Sequence, residues 1–340
     1  MLPKCRTIWR RYLVRAIGAG ALLAACTGPR EAGPLAGRVV CIDPGHGGTA
    51  ATDSYRVGPG AEREEWIDLR VALLLKDELE QRGARVLMTR TADVAVALAR
   101  RAEIAREGGA DLFLSVHHNA TADPTYNAPT VYFHGNASEN RAGVALARAV
   151  AARLDEALFD GRSTPALVSD FAIFPGRGAA VLRGSYGIPG VISEASFFTN
   201  AEEERRLKDD GYNRREAQAL ARAVEDFLAA PVPAIEPVGS RVTLPPFEGL
   251  EEAGRMEPEG LRWREAFDEA RPLIERGDPA SLAQAYGRLT LSARAFPDSP
   301  IAGECHRLRA VVLERQGRTE EARQERQRSV EHYPGGPGAP

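Results

Sequence analysis

Hydrophobic and polar positions along this chain alternate between two periods. Arg38 to Asp43 is a short apolar run stopped by Pro44-Gly45, the pattern of a buried strand. Glu64 to Arg82 instead places Ile67, Val71, Leu74, Leu75 and Leu79 at helical spacing before Gly83 closes the segment. Arg85 to Thr89 reads as a strand, Val94 to Glu107 as a helix ended by Gly108-Gly109, and Asp111 to Val116 as a further strand. Thr130 to Phe133 predicts a strand, Glu139 to about Leu158 a long alanine-rich helix, Val191 to Glu194 a strand, and the stretch to about Ala229 helices. Strands alternating with helices predict an α/β fold, a mostly parallel sheet with helices on both faces.

Beyond residue 230 the pattern changes. Residues 231–248 are proline-rich and aperiodic, as a domain linker would be. Residues 249–334 are purely helical in period and strongly charged, which predicts a small all-α C-terminal domain. Ala295-Phe296-Pro297 returns as His332-Tyr333-Pro334, and Gly317 to Pro334 resembles the second half of a tetratricopeptide repeat. A small helical bundle fits the same pattern. Stacked hairpins present a concave surface for a protein partner, so this module is expected to be separable, with removal from Gly249 onward leaving catalysis on small fragments intact. Residues 335–340 form a Pro/Gly tail.

The N-terminus reads as an address. Lys4, Arg6, Arg10, Arg11 and Arg15 precede an apolar run from Ala16 to Ala25 that is too short to span a bilayer and suits a signal peptide over residues 1–25. Leu23-Ala24-Ala25-Cys26 resembles a lipobox, which marks Cys26 for lipidation and residues 26–37 as a tether, giving an exported, lipid-anchored protein of the cell envelope, with the outer membrane favoured by Thr27. Arg10-Arg11-Tyr12-Leu13-Val14 also fits a twin-arginine export signal. Without the five leader cations, 39 basic residues face 47 acidic ones, so the chain lacks the electrostatic footprint of a nucleic-acid binder. Cys5 leaves with the signal, and Cys41 and Cys305 fall in different domains, reading as buried apolar residues rather than a disulfide.

Chemistry concentrates in four clusters: Asp43-Pro44-Gly45-His46-Gly47-Gly48 after the first strand, Glu64 at a helix start, Ser115-Val116-His117-His118-Asn119 at a strand end, and Glu194 at another. In an open α/β sheet such strand ends converge on one crevice. Two imidazoles and a carboxylate form a common catalytic zinc set, and a further carboxylate outside the set can act as general base and acid. Glu62 and Glu65 stand beside Glu64 as alternative helix-start carboxylates. Asp43, His118 and Asn119 are candidates for supporting the metal ligands or touching substrate, Asp43 equally as a turn former. His134, His306 and His332 read as surface histidines, and Glu202 to Arg206 as a solvated helix.

Val39 to about Ala230 resembles the zinc-dependent N-acetylmuramoyl-L-alanine amidases of the amidase-3 type. The resemblance rests on Val40 to Gly48, Glu64 to Leu69, Ser115 to Ala120 and Ser193 to Asn200. It implies one Zn2+ held by His46, Glu64 and His117, with Glu194 catalytic, and a peptidoglycan substrate cut between N-acetylmuramic acid and L-alanine. The chain departs from the family pattern at Glu65, Trp66, Ala195 and Ser196. The 76 residues between His117 and Glu194 leave no room for a large inhibitory helix, so the site is expected to be open. A second reading keeps the fold without turnover, as a peptidoglycan-binding lipoprotein or a scaffold acting through its C-terminal helices.

Overall fold

The computed structural model describes residues 33–51, 53–174, 177–238, 262–295 and 301–332. The segments expected to be the signal peptide, with Cys26, most of the expected linker and the tail lie outside them. From Gly33 onward the described residues belong to one compact unit.

Six strands form one sheet in the order β2-β1-β3-β6-β4-β5: β1 (Val39–Pro44), β2 (Arg85–Met88), β3 (Leu112–Asn119), β4 (Thr130–Phe133), β5 (Ala166–Ser169) and β6 (Gly190–Phe197). Pairing is parallel except between β4 and β6. The expected mostly parallel sheet is therefore present, and β1, β3 and β6 deliver their carboxyl ends to one edge. The four-residue strand β5, which the sequence pattern does not reveal, extends the sheet beside β4.

Helices cover both faces: α1 (Glu64–Gln81), α2 (Leu98–Glu107), α3 (Arg141–Phe159), α4 (Ala180–Gly184), α5 (Ala201–Leu207) and α6 (Asp210–Ala229). Strand residues alternate between them. Val40, Ile42, Leu112, Leu114 and Val116 pack with Ile67, Val71, Leu75 and Leu79 of α1 and with α3 and α6. Cys41 and Phe113 point the other way, against Ala105 of α2 and Leu182 of α4. Burying each such Leu, Ile or Phe contributes about 1.5–3 kcal/mol. The helix read from Val94 begins at Leu98, and Ala95 to Ala97 instead line a cleft.

Among the described residues four further helices follow: α7 (Arg262–Arg276), α8 (Pro279–Ala295), α9 (Ala302–Arg315) and α10 (Thr319–His332). They bury Phe267, Leu273, Leu289, Cys305 and Val312 in their own core. That core also takes in Tyr55, a fully buried residue of the loop between β1 and α1. The loop between β1 and α1 thus supplies part of the core of the helical unit that the sequence sets apart. Cys41 and Cys305 are free and buried, as expected, and burial pushes each thiol up to about 12.

Candidate active site

The loop after β1 is held by two buried arginines. Arg90 donates to the carbonyls of Pro44 and Gly45 at 3.0 and 2.5 Å, and Arg101 donates to Pro44 at 2.7 Å and to the His46 carbonyl. Arg101 also pairs with Asp43 at 2.8 Å. Asp43 accepts from Thr89 and Ser115 as well, at 2.5 and 2.8 Å. It therefore anchors the loop and binds no imidazole nitrogen. Burial works against its charge, but Arg101 and the two hydroxyls hold its carboxyl below the usual range. So fixed, the loop places His46 at φ 54°, a left-handed conformation rare outside glycine. Gly45 lies so close to His117 that a Cβ there would meet the ring at 2.4 Å.

His46 Nε2 lies 2.9 Å, and His117 Nδ1 3.1 Å, from the same Glu64 oxygen, Oε1. The two rings meet edge-on at 4.7 Å between centroids. Glu62 and Glu65 are engaged elsewhere: Glu62 with Arg70 at 2.8 Å, Glu65 with Arg63 at 2.8 Å. Asp68, one turn after Glu64 on α1, joins the group, so that donor atoms of His46, Glu64, Asp68 and His117 all lie within 4.8 Å of one another. The i,i+4 spacing from Glu64 was the signal for Asp68 in the sequence. Glu194 sits across from His117 as its partner in the β3–β6 register.

Electrostatics follow from this crowding. Burial, with the Arg56 guanidinium beside it, pushes the His46 imidazole down to about 3, leaving it neutral. Burial opposes charge on His117 too, yet its hydrogen bond to Glu64 and the fields of Glu194 and Asp68 carry it up to about 9. Desolvation would raise Glu64, but the two imidazoles hold it well below the ordinary carboxylate range. Two nitrogens and an oxygen converging on one point, within a surplus of carboxylates, fit a divalent cation of the zinc type.

The other candidates lie around this cluster or away from it. His118 points to the opposite face from His117 and is buried between Asp68 at 2.9 Å and Glu216 at 3.1 Å. Asn119 accepts from the Ala120 amide at 2.8 Å and lines the cleft. Two expectations of surface residues are corrected. His134 is buried against Asp170 at 2.8 Å and His306 against Glu325 at 2.7 Å. In the segment read as a solvated helix, Glu203 is buried and accepts from Tyr212 at 2.7 Å. Glu204, also buried, accepts from the Gly60 and Glu62 amides at 2.5 and 2.9 Å. Charge alone did not show which side of α5 faces inward.

The cleft above these groups measures about 460 Å³. Ile173, Phe174 and Val181 form an apolar side, while Arg323, Gln324, Gln327 and Arg328 of α10 form a polar one.

Known proteins are similar to the α/β part of this chain. The sequence profile described as N-acetylmuramoyl-L-alanine amidase matches residues 40–226, which carry every residue of the ligand cluster and Glu194. The amidase AmiA of Salmonella typhimurium is 29% identical over 223 residues, spanning 56% of this chain and 76% of that protein. The amidase AmiC of Neisseria meningitidis is 28% identical over 222 residues, 56% of this chain and 52% of that one. The crystal structure of an N-acetylmuramoyl-L-alanine amidase from Clostridium difficile 630 superposes with a TM-score of 0.50 at 25% identity, covering 58% of this chain and 98% of that one. With more than half of its residues inside the matched profile and the sheet edge built as described, the chain belongs to the N-acetylmuramoyl-L-alanine amidase family.

Proposed function

We propose that this amidase cleaves the bond between N-acetylmuramic acid and L-alanine through one zinc ion held by His46, Glu64 and His117, with Glu194 as general base and acid. Its activity as a peptidoglycan amide hydrolase follows from the family. The observation that carries the metal reading is the convergence of His46 Nε2 and His117 Nδ1 on a single Glu64 oxygen. Zinc bound by such a set supplies a Lewis acid that activates water and polarises an amide carbonyl. Glu194, in register beside His117 and outside the ligand cluster, takes the proton of the attacking water and returns it to the departing nitrogen. That return is needed because an amide expels its nitrogen only once it is protonated. Arg90 and Arg101 keep the His46 loop from relaxing out of its left-handed turn.

The substrate lies in the cell envelope, and the protein works there. The basic leader, the apolar run and Leu23-Ala24-Ala25-Cys26 support export and a lipid on Cys26. No helix among the described residues is long and apolar enough to cross a membrane.

Mass spectrometry of digested peptidoglycan, with metal analysis of the same preparation, tests the reading. Stem peptides beginning with L-alanine, intact glycan strands and one zinc per chain are expected. Release of D-alanine or of anhydro-sugars places the enzyme among other wall hydrolases.

A further inference from the structure

The family match ends at residue 226, yet helices from beyond residue 262 reach the catalytic cleft. They do so in two ways. Arg323, Gln324 and Gln327 on α10 line the same cleft as His46, Glu64, His117 and Glu194. Below them a continuous chain of charged groups runs from α10 to a ligand carboxylate. Arg328 Nη2 lies 3.7 Å from Asp53 Oδ2, and that oxygen accepts from Arg56 Nη1 at 2.7 Å. Arg56 Nε in turn stands 3.6 Å from Glu64 Oε2, the oxygen turned away from the two imidazoles.

This chain is built to be stiff. Arg328 is pinned on its other side by Glu325 at 2.9 Å, and Glu325 is pinned by His306 at 2.7 Å. Asp53 also accepts from the amides of Tyr55 and Arg56 at 3.0 and 3.1 Å. Tyr55 lies among three guanidinium groups, those of Arg56, Arg309 and Arg328, at 4.6, 5.6 and 5.2 Å from its ring. Buried charges are costly to leave under-paired, so displacing α10 would leave Arg56 as the remaining guanidinium partner of Asp53 and draw it toward that carboxylate, away from Glu64.

We propose that the C-terminal helices are a component of the active site: α10 is a substrate-binding wall of the cleft, and Arg328, through Asp53 and Arg56, is a positioning residue for Glu64. The positioning half rests on the zinc reading above, while the wall does not. A carboxylate locked by an outer partner presents one oxygen to the metal at a fixed angle, and loss of such partners commonly weakens metal binding about 10–100-fold.

Zinc affinity is measured on the full-length protein by equilibrium competition with a chelator, for the wild type, Arg328→Gln and Arg328→Lys, each checked for fold by circular dichroism. Arg328→Gln is expected to bind zinc at least about tenfold more weakly and Arg328→Lys to recover part of the loss. Gln327→Trp, an exposed position that does not test folding, is expected to raise KM for a soluble muropeptide while zinc content and kcat stay at the wild-type level. Folded Arg328→Gln with wild-type zinc affinity, together with a wild-type KM for Gln327→Trp, would overturn the proposal. A wild-type protein that binds no zinc would sink the metal reading instead, and the KM of Gln327→Trp would still decide the wall.

Discussion

His117 on β3 and Glu194 on β6 are partners in the register of adjacent parallel strands, so one β-ladder sets the spacing between a metal-ligand candidate and the proposed base. Side chains at one register level leave a sheet on the same face, which makes this spacing a property of the sheet rather than of a loop. Glu194→Gln should therefore keep fold and zinc content while lowering turnover about 100-fold or more, the usual size of a general acid–base contribution. Parallel metal analysis and muropeptide cleavage check this, and loss of zinc in that variant would place Glu194 among the ligands.

The two adjacent histidines should fail in different ways. His117→Ala is expected to lose zinc and activity together without a large loss of stability. His118→Ala leaves Asp68 and Glu216 buried without their shared partner, at a cost of about 3–5 kcal/mol. Urea unfolding beside metal content separates the two. If His118→Ala loses zinc at full stability while His117→Ala retains it, the assignment of the ligand is reversed.

Gly45 tests the packing of the loop on the site. An added Cβ would meet the His117 ring at 2.4 Å, below any tolerable contact, and the ring cannot retreat without leaving Glu64. Gly45→Ala should fold, because the clash is local, yet bind zinc more weakly and turn over more slowly. Wild-type zinc affinity in this variant would show that the ring has room to move.

Acid should loosen the contact between the loop and the C-terminal helices. Burial opposes the charge of Asp53, but Arg56 and Arg328 hold its carboxyl below the ordinary 3.8. Burial likewise opposes Glu325, but His306 and Arg309 hold it below 4.5. Carboxyls depressed in the folded state contribute stability that is full above their unfolded values and is lost as pH falls through the folded ones. Their own contribution, read as the difference in melting temperature between the wild type and an Asp53→Asn, Glu325→Gln double variant, is expected to be level from pH 7 to about 5 and to shrink steadily below about 4.5. A difference that stays flat to pH 3 contradicts these pairings.

Much of this site was legible in the residues themselves. Asp43 to Gly48, His117 and Glu194 sit where apolar runs stop, and a parallel sheet brings such stops to one edge as a matter of topology. Local periodicity therefore determined the α/β class, the helical C-terminal region and which edge carries chemistry. Resemblance narrowed Glu64 from its neighbours, and the pairing of Glu62 with Arg70 and of Glu65 with Arg63 shows why those two are engaged elsewhere.

What only the tertiary structure decided concerns polar residues with distant partners. The pattern around His134, His306, Glu203 and Glu204 is that of a wet surface, since a charge run carries no mark of what will pack against it. Each is buried because a partner 9 to 144 positions away satisfies it: Asp170, Glu325, Tyr212 and the Gly60 amide. The same holds for Tyr55, whose core lies in helices more than 200 residues later. Hydrophobic period is a local property of a chain and can be read along it. Pairing of buried charges is a property of distance in three dimensions, which is why α10 reads as a separate domain in the sequence and lines the catalytic cleft in the folded protein.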